Sequence, residues 1–164
     1  MKVNEGPIRR VVTGHDAAGK AIFIADDRFE PVDVAAGDAS MCLIWTAPEL
    51  PVNNNDQTDG RFRDAGLTLQ GGSVIRTVDM YPGEKSPFHR TNSIDYGVVL
   101  SGQVELELDD GAKCLLSAGD IVVQRGTLHL WRNPSQTQTC RIVFVLTEAT
   151  AVEVDHAALP EVHP

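Results

Sequence analysis

Apolar and polar residues alternate along this chain over short distances. Residues 73–81 (SVIRTVDMY) set Val74, Arg76, Val78 and Met80 on one side and Ile75, Thr77, Asp79 and Tyr81 on the other. This is the period of two that a strand requires. Residues 96–100 and 103–108 read the same way, as two strands around a Ser101-Gly102 turn. Residues 112–117, 121–124, 128–132 and 139–146 are further short strands, and 41–46 (MCLIWT) is an apolar one. Between residues 8 and 26, two β-rich runs flank His15-Asp16-Ala17-Ala18-Gly19, a hairpin signal with Gly near the bend. Short strands at regular spacing, punctuated by Gly and Asp, predict an all-β antiparallel sandwich or barrel. No helical period of useful length precedes the tail. Residues 148–164, acids and Ala with two Pro, are expected to form at most one turn of helix. Residues 47–66 predict a long surface loop, either a lid or a solvated excursion.

The chemistry gathers in residues 82–102 (PGEKSPFHRTNSIDYGVVLSG). Pro82-Gly83 suits a tight turn. His89, Thr91 and Asp95 share one parity, so an extended backbone points all three to one face. A later stretch, residues 119–133 (GDIVVQRGTLHLWRN), adds His129.

These two stretches resemble the two sequence motifs of the cupin superfamily. The first motif is Gly, five residues, His-x-His, three or four residues, Glu, six residues, Gly. Here it reads Gly83, five residues, His89-x-Thr91, three residues, Asp95, six residues, Gly102. Thr91 stands where the family has His, and Asp95 where it has Glu. The second motif fits at Gly119, Gly126, His129 and Asn133, with Gln124 in place of the usual Pro and the first gap one residue shorter.

The resemblance implies a double-stranded β-helix, the jelly-roll cupin barrel, over residues 41–148. Residues 1–40 then form an N-terminal β-hairpin extension of the same domain, and 149–164 a C-terminal tail. It also implies a divalent metal site, Fe, Zn, Mn or Ni, with His89, Asp95 and His129 as ligands. Two imidazoles and one carboxylate with open positions suit such ions. Thr91 leaves three protein donors where a typical member has four. The alternative is a metal-free pocket in which the same His residues are hydrogen-bonded acid/base groups. No organic cofactor is expected.

Other residues take their expected roles from position. Arg76 either faces the barrel interior, where it would bind a carboxylate or oxyanion, or lies at the surface of an edge strand. Trp131 shares parity with His129 and would form an apolar wall. Gln124 either offers a donor into the pocket or solvates a strand end. Arg76, Thr91, Trp131 and Gln124 are thus the candidate substrate-binding residues, and His89, His129 and Asp95 the candidate catalytic ones. Tyr96 should face away from Asp95 and pack, Asn133 should stabilise a turn, and His15, His156 and His163 are expected to be solvated.

Composition narrows the classes. The chain has 164 residues, 42% hydrophobic and 23% charged, enough for one globular domain. A formal net charge of −9 gains nothing from phosphate neutralisation and is repelled by anionic bilayers, so neither nucleic acid nor membrane is an expected partner. The three Cys (42, 114 and 140) form no CxxC pair and read as reduced thiols, which with the absence of an apolar leader in MKVNEGPIRR suits the cytoplasm. The exposed edges of the N-terminal hairpin need covering, and a homodimer would cover them.

Three functions fit this reading. The first is a small-molecule lyase, dehydratase or isomerase acting next to a carbonyl or carboxylate, assisted by a metal. The second is a non-haem Fe(II) dioxygenase. The third is a barrel that binds a small ligand without turnover.

Overall fold

Why the alternation buries one face of each strand becomes plain in the computed structural model, which describes residues 5–163. The strands are β1 (Ile8–His15), β2 (Ala21–Phe29), β3 (Val32–Asp33), β4 (Ala39–Ala47), β5 (Ser73–Met80), β6 (Ser93–Ser101), β7 (Gln103–Leu108), β8 (Lys113–Ser117), β9 (Ile121–Arg125), β10 (His129–Arg132), β11 (Cys140–Glu148), β12 (Glu153–Val154) and β13 (Ala157–Ala158). A single 3-10 turn covers Gly60–Phe62. No α-helix occurs among the described residues, and none of their helices is long and apolar enough to cross a membrane.

Two sheets face each other. One has six strands in the order β3-β4-β5-β11-β6-β9, the other three in the order β10-β7-β8. This is a double-stranded β-helix. Between the sheets lie Val78, Met80, Val99, Val104, Trp131, Ile142, Phe144 and Leu146, all buried. Each large apolar side chain so buried contributes about 1.5–3 kcal/mol before entropy is counted. β11 shows the alternation cleanly, with Cys140, Ile142, Phe144 and Leu146 inward.

The strands on either side of Ser101-Gly102 do not form a hairpin. β6 pairs with β11 and β9, while β7 pairs with β8 and β10. The chain therefore turns a corner from one sheet to the other at Gly102. Its φ is +71°, and a Cβ there would lie 2.7 Å from the Thr139 carbonyl oxygen. Only glycine fits such a corner without strain.

Both ends of the chain add short strand pairs. Residues 148–164 contain no helical turn among those described. Asp155 and His156 both have positive φ and close a tight hairpin between β12 and β13, as a two-residue β-hairpin turn requires. Val162 then forms an antiparallel bridge with Arg90. At the other end, β1 and β2 form the expected hairpin, a separate two-stranded sheet. β3, however, pairs with β4, so the barrel sheet begins at Val32.

Buried charges tie these parts together. The Arg10 guanidinium makes paired hydrogen bonds to Asp27 (3.0 and 2.7 Å) and to Asp59 (2.7 and 2.8 Å). It joins the hairpin to the 47–66 excursion. Asp79, fully buried, pairs twice with Arg141 at 2.6 and 2.7 Å and accepts the Glu5 backbone N–H at 3.1 Å.

Candidate functional site

The site begins with an antiparallel bridge between His89 and His129. His89 N donates to His129 O at 2.9 Å, and His129 N to His89 O at 3.1 Å. Directly opposed residues carry their side chains to one face, so the rings meet, 4.2 Å between centroids and tilted by 57°. Nδ1 of His89 lies 3.0 Å from Pro87 O, and Nδ1 of His129 lies 2.9 Å from Thr127 O. A carbonyl only accepts, so each Nδ1 carries the proton. In the neutral rings Nε2 then holds the lone pair. Burial holds His89 below the usual histidine range, against the raising effects of Pro87 O and Asp38. Burial, with the His89 charge as the lesser cause, pushes His129 down to about 4. Both rings are therefore neutral near pH 7.

Asp95 lies on β6 and is 6% exposed. The Ser93 hydroxyl donates to its Oδ1 at 2.6 Å, and Gln124 Nε2 to its Oδ2 at 3.3 Å. Thr91 Oγ1 lies 2.8 Å from Ser93 Oγ. With the Ser93 proton committed to Asp95, Thr91 is the donor. Residues 91, 93 and 95 thus form a chain along one strand face. Burial raises the Asp95 pKa, while Ser93 and the Arg76 charge pull it back.

Arg76 is buried on β5, a strand flanked by β4 and β11 rather than an edge. This settles its two alternatives in favour of the interior. Its Nη2 donates to Gly66 O (2.5 Å) and Leu67 O (3.0 Å), and its Nε has no partner. The end of the 47–66 excursion and the residues just after it therefore fix this guanidinium. Burial lowers its pKa, with Asp95 opposing.

These groups share one cavity of about 470 Å³, within the usual range for a small-ligand pocket. Its walls are mostly apolar, formed by Trp131, Phe144 and Leu146 together with residues of the turn at Val34–Ala36. Arg76, Thr91, Asp95, His89, His129 and Trp131 all line it. Gln124 is buried behind Asp95 rather than solvated, and Tyr96 is exposed on the opposite face. Asn133 holds a turn, bonded to Met80 O, Gln138 O and Ser135 N. Cys140 is fully buried, and burial, with Asp79 and Glu5 as lesser causes, pushes its thiol up to about 12. It packs within the core.

Three lining or linking residues escape a reading of the sequence. Ser93 has a signal, its shared parity with Thr91 and Asp95. Asp38, in the turn before β4, lines the cavity with a buried, unpartnered Oδ1. His163 also lines the cavity, from the chain's last described residue, although its side chain is mostly exposed. Neither of these two has a periodic pattern to announce it.

As for metal binding, neither Nε2 of the imidazole pair has a protein partner among the described residues, and both belong to one cavity. That donor chemistry fits a divalent ion. Asp95 is not assembled with them. Its oxygens each accept one hydrogen bond, from Ser93 and from Gln124, and no three His, Cys, Asp or Glu side chains cluster as a metal site among the described residues.

Residues 76–146 match the family model described as "Cupin domain". The chain is 44% identical over 155 residues to phomopsin biosynthesis cluster protein C' of Diaporthe leptostromiformis, covering 89% of this chain and 81% of that protein. It is 36% identical over 152 residues to the cupin-domain-containing oxidoreductase fogC of Aspergillus ruber, covering 89% of this chain and 75% of that one. Among solved structures, the cupin domain of Schizosaccharomyces pombe Cnp3 superposes with a TM-score of 0.55 at 9% identity, covering 88% of each chain. At that identity the likeness concerns the fold alone.

Proposed function

The chain belongs to the cupin superfamily, and from that premise we propose that it is a metal-assisted lyase, dehydratase or isomerase. Its substrate is a small, mostly apolar molecule bearing a carbonyl or carboxylate. The observation that carries this reading is the His89–His129 pair. Both Nδ1 atoms are tied to backbone carbonyls, and both Nε2 atoms are left for the cavity.

His89 and His129 hold the ion. When bound, it supplies Lewis acidity at a substrate oxygen. Neutral imidazoles are what an ion requires, and burial keeps both rings neutral. The base is Asp95, whose carboxylate the Ser93 hydroxyl and the Gln124 amide fix in place. It takes the proton from the carbon next to the carbonyl. Arg76 binds the oxygen on which charge develops, and its unpaired Nε supports that role. Trp131, Phe144 and Leu146 seat the apolar body and exclude water.

Dioxygenase activity with Fe(II) is the second reading. It is supported by relatives named as oxidoreductases at 36% and 32% identity. One experiment separates the two. Tag-free protein loaded with Fe(II), Zn²⁺, Mn²⁺ or Ni²⁺ is incubated in D₂O with a panel of β-keto acids and 1,3-diketones. The expected result is deuterium incorporation next to the carbonyl without O₂ uptake, lost in Asp95→Asn while metal content is kept. O₂ uptake tied to product formation would favour the second reading. Tight binding with neither reaction would leave a ligand-binding barrel.

A further inference from the structure

The last described residues run back across the barrel mouth as a strap. Arg90 N donates to Val162 O at 2.8 Å, and Val162 N to Arg90 O at 2.9 Å. Arg90 Nη1 donates to Pro160 O at 3.3 Å, and Asn92 N to Glu161 Oε1 at 2.8 Å. The strap is thus pinned in register, and the register has a consequence. In an antiparallel pair with 90 opposite 162, residue 163 stands opposite residue 89. Since 90 and 162 exchange both hydrogen bonds, 89 and 163 form the next, non-hydrogen-bonded pair, in which side chains approach more closely. On its other edge His89 faces His129. Three histidines, 129, 89 and 163, therefore stand side by side across three chain segments, and all three line the same cavity.

We propose that His163 is the third imidazole of the divalent-metal site, delivered by the C-terminal strap where Thr91 leaves the barrel motif one donor short. This rests on the metal reading of the His89–His129 pair. The His163 Nε2 lies 3.6 Å from Glu161 Oε2, which leaves Nδ1 as its free nitrogen. A ligating histidine commonly gives its other ring N–H to a carboxylate, which fixes the ring and raises its basicity. Glu161, itself held by the Asn92 N–H, is placed to do this and is a positioning residue. In this conformation the three rings do not converge as a cluster. Ion binding draws His163, mostly exposed at the rim, inward by side-chain rotation.

The test is titration of the purified full chain with Co²⁺, read by visible absorption and calorimetry, with Zn²⁺ competition. Wild type is expected to bind one ion. His163→Ala should weaken binding by more than about 100-fold and change the Co²⁺ spectrum, exceeding the roughly 10- to 100-fold loss typical of an outer partner. Glu161→Gln should fall within that smaller range. Val162→Pro keeps His163 but removes the strap's N–H donor, and should weaken binding as His163→Ala does. His15→Ala, remote and exposed, should change nothing. Unchanged affinity and spectrum in His163→Ala would overturn the proposal while leaving the two-histidine reading intact. Failure of wild type to bind Co²⁺ or Zn²⁺ would overturn both.

Discussion

His89 and His129 are bridged through their backbones and bring their rings to 4.2 Å between centroids, tilted against each other, with both Nδ1 atoms facing backbone carbonyls. Protonating either ring places a charge in a desolvated pair. Unfolded, each would titrate near 6.5.

Acid should therefore weaken the fold in a defined window. Burial pushes His129 in the folded chain down to about 4, against about 6.5 for a free histidine. Above pH 6.5 the ring is neutral in both states and stability is independent of it. Between 6.5 and 4 the unfolded chain binds a proton that the folded chain refuses, so stability falls as pH falls, by on the order of 3 kcal/mol at the bottom of the window. His89 adds in the same direction. Asp95 runs oppositely, since its raised pKa makes stability decline as pH rises above 3.8. The difference between wild type and His129→Leu isolates the histidine. Metal-free urea unfolding at pH 4.5 and 7.0 should show a smaller acid loss in the variant. Equal losses would contradict the assignment.

Arg76 should select for ligand charge. A hydrogen bond to a charged group is worth about 1.5–3 kcal/mol, so Arg76→Met should weaken a carboxylate ligand by roughly 10- to 150-fold. The matching primary amide should change little. Calorimetry with such a pair reads the discrimination directly. Arg76→Lys should not restore it, because one ammonium cannot bond both Gly66 O and Leu67 O and still present a planar donor to the cavity.

Much of this centre is legible in the chain, and the reasons differ residue by residue. His89, Thr91 and Asp95 declare themselves by parity, and the backbone keeps them on one face. Trp131 follows from His129 by the same rule. Arg76 is ambiguous because alternation gives the side of a strand but not its place in a sheet. Only the pairing with β4 and β11 makes β5 central. Gln124 depends on its register opposite Asp95, which a single strand does not reveal. The corner at Gly102 looks like a hairpin turn because both need a positive φ. His163 and Asp38 reach the cavity through turns and a strap, where no period exists to read.

The pair on the far face of the sheet should be a major support of the fold. Asp79 is fully buried and bonded twice to Arg141. Removing one partner of a buried pair leaves an uncompensated charge and costs about 3–5 kcal/mol. Asp79→Ala should show this in urea unfolding. Asp79→Leu combined with Arg141→Met should recover much of the loss.

A homodimer is the expected assembly. On the outer face of the six-stranded sheet, Tyr96 opposes Val123 and Val98 opposes Ile121, with Ile121 68% exposed. On the hairpin, Phe23 is 76% exposed. β9 is also an edge strand. Unpaired edges and contiguous apolar faces invite a partner. Light scattering at micromolar protein should give twice the chain mass, and Ile121→Lys with Val123→Glu should halve it. A monomer mass for wild type would refute this.

Arg10 grips Asp27 of the hairpin with one side of its guanidinium and Asp59 of the excursion with the other. A few residues on, that excursion leads into the two carbonyls that grip Arg76. Hairpin and Arg76 are thus links of one tether. The position of an exposed ribbon and the aim of a guanidinium deep in the barrel are in this way set by one continuous run of bonds.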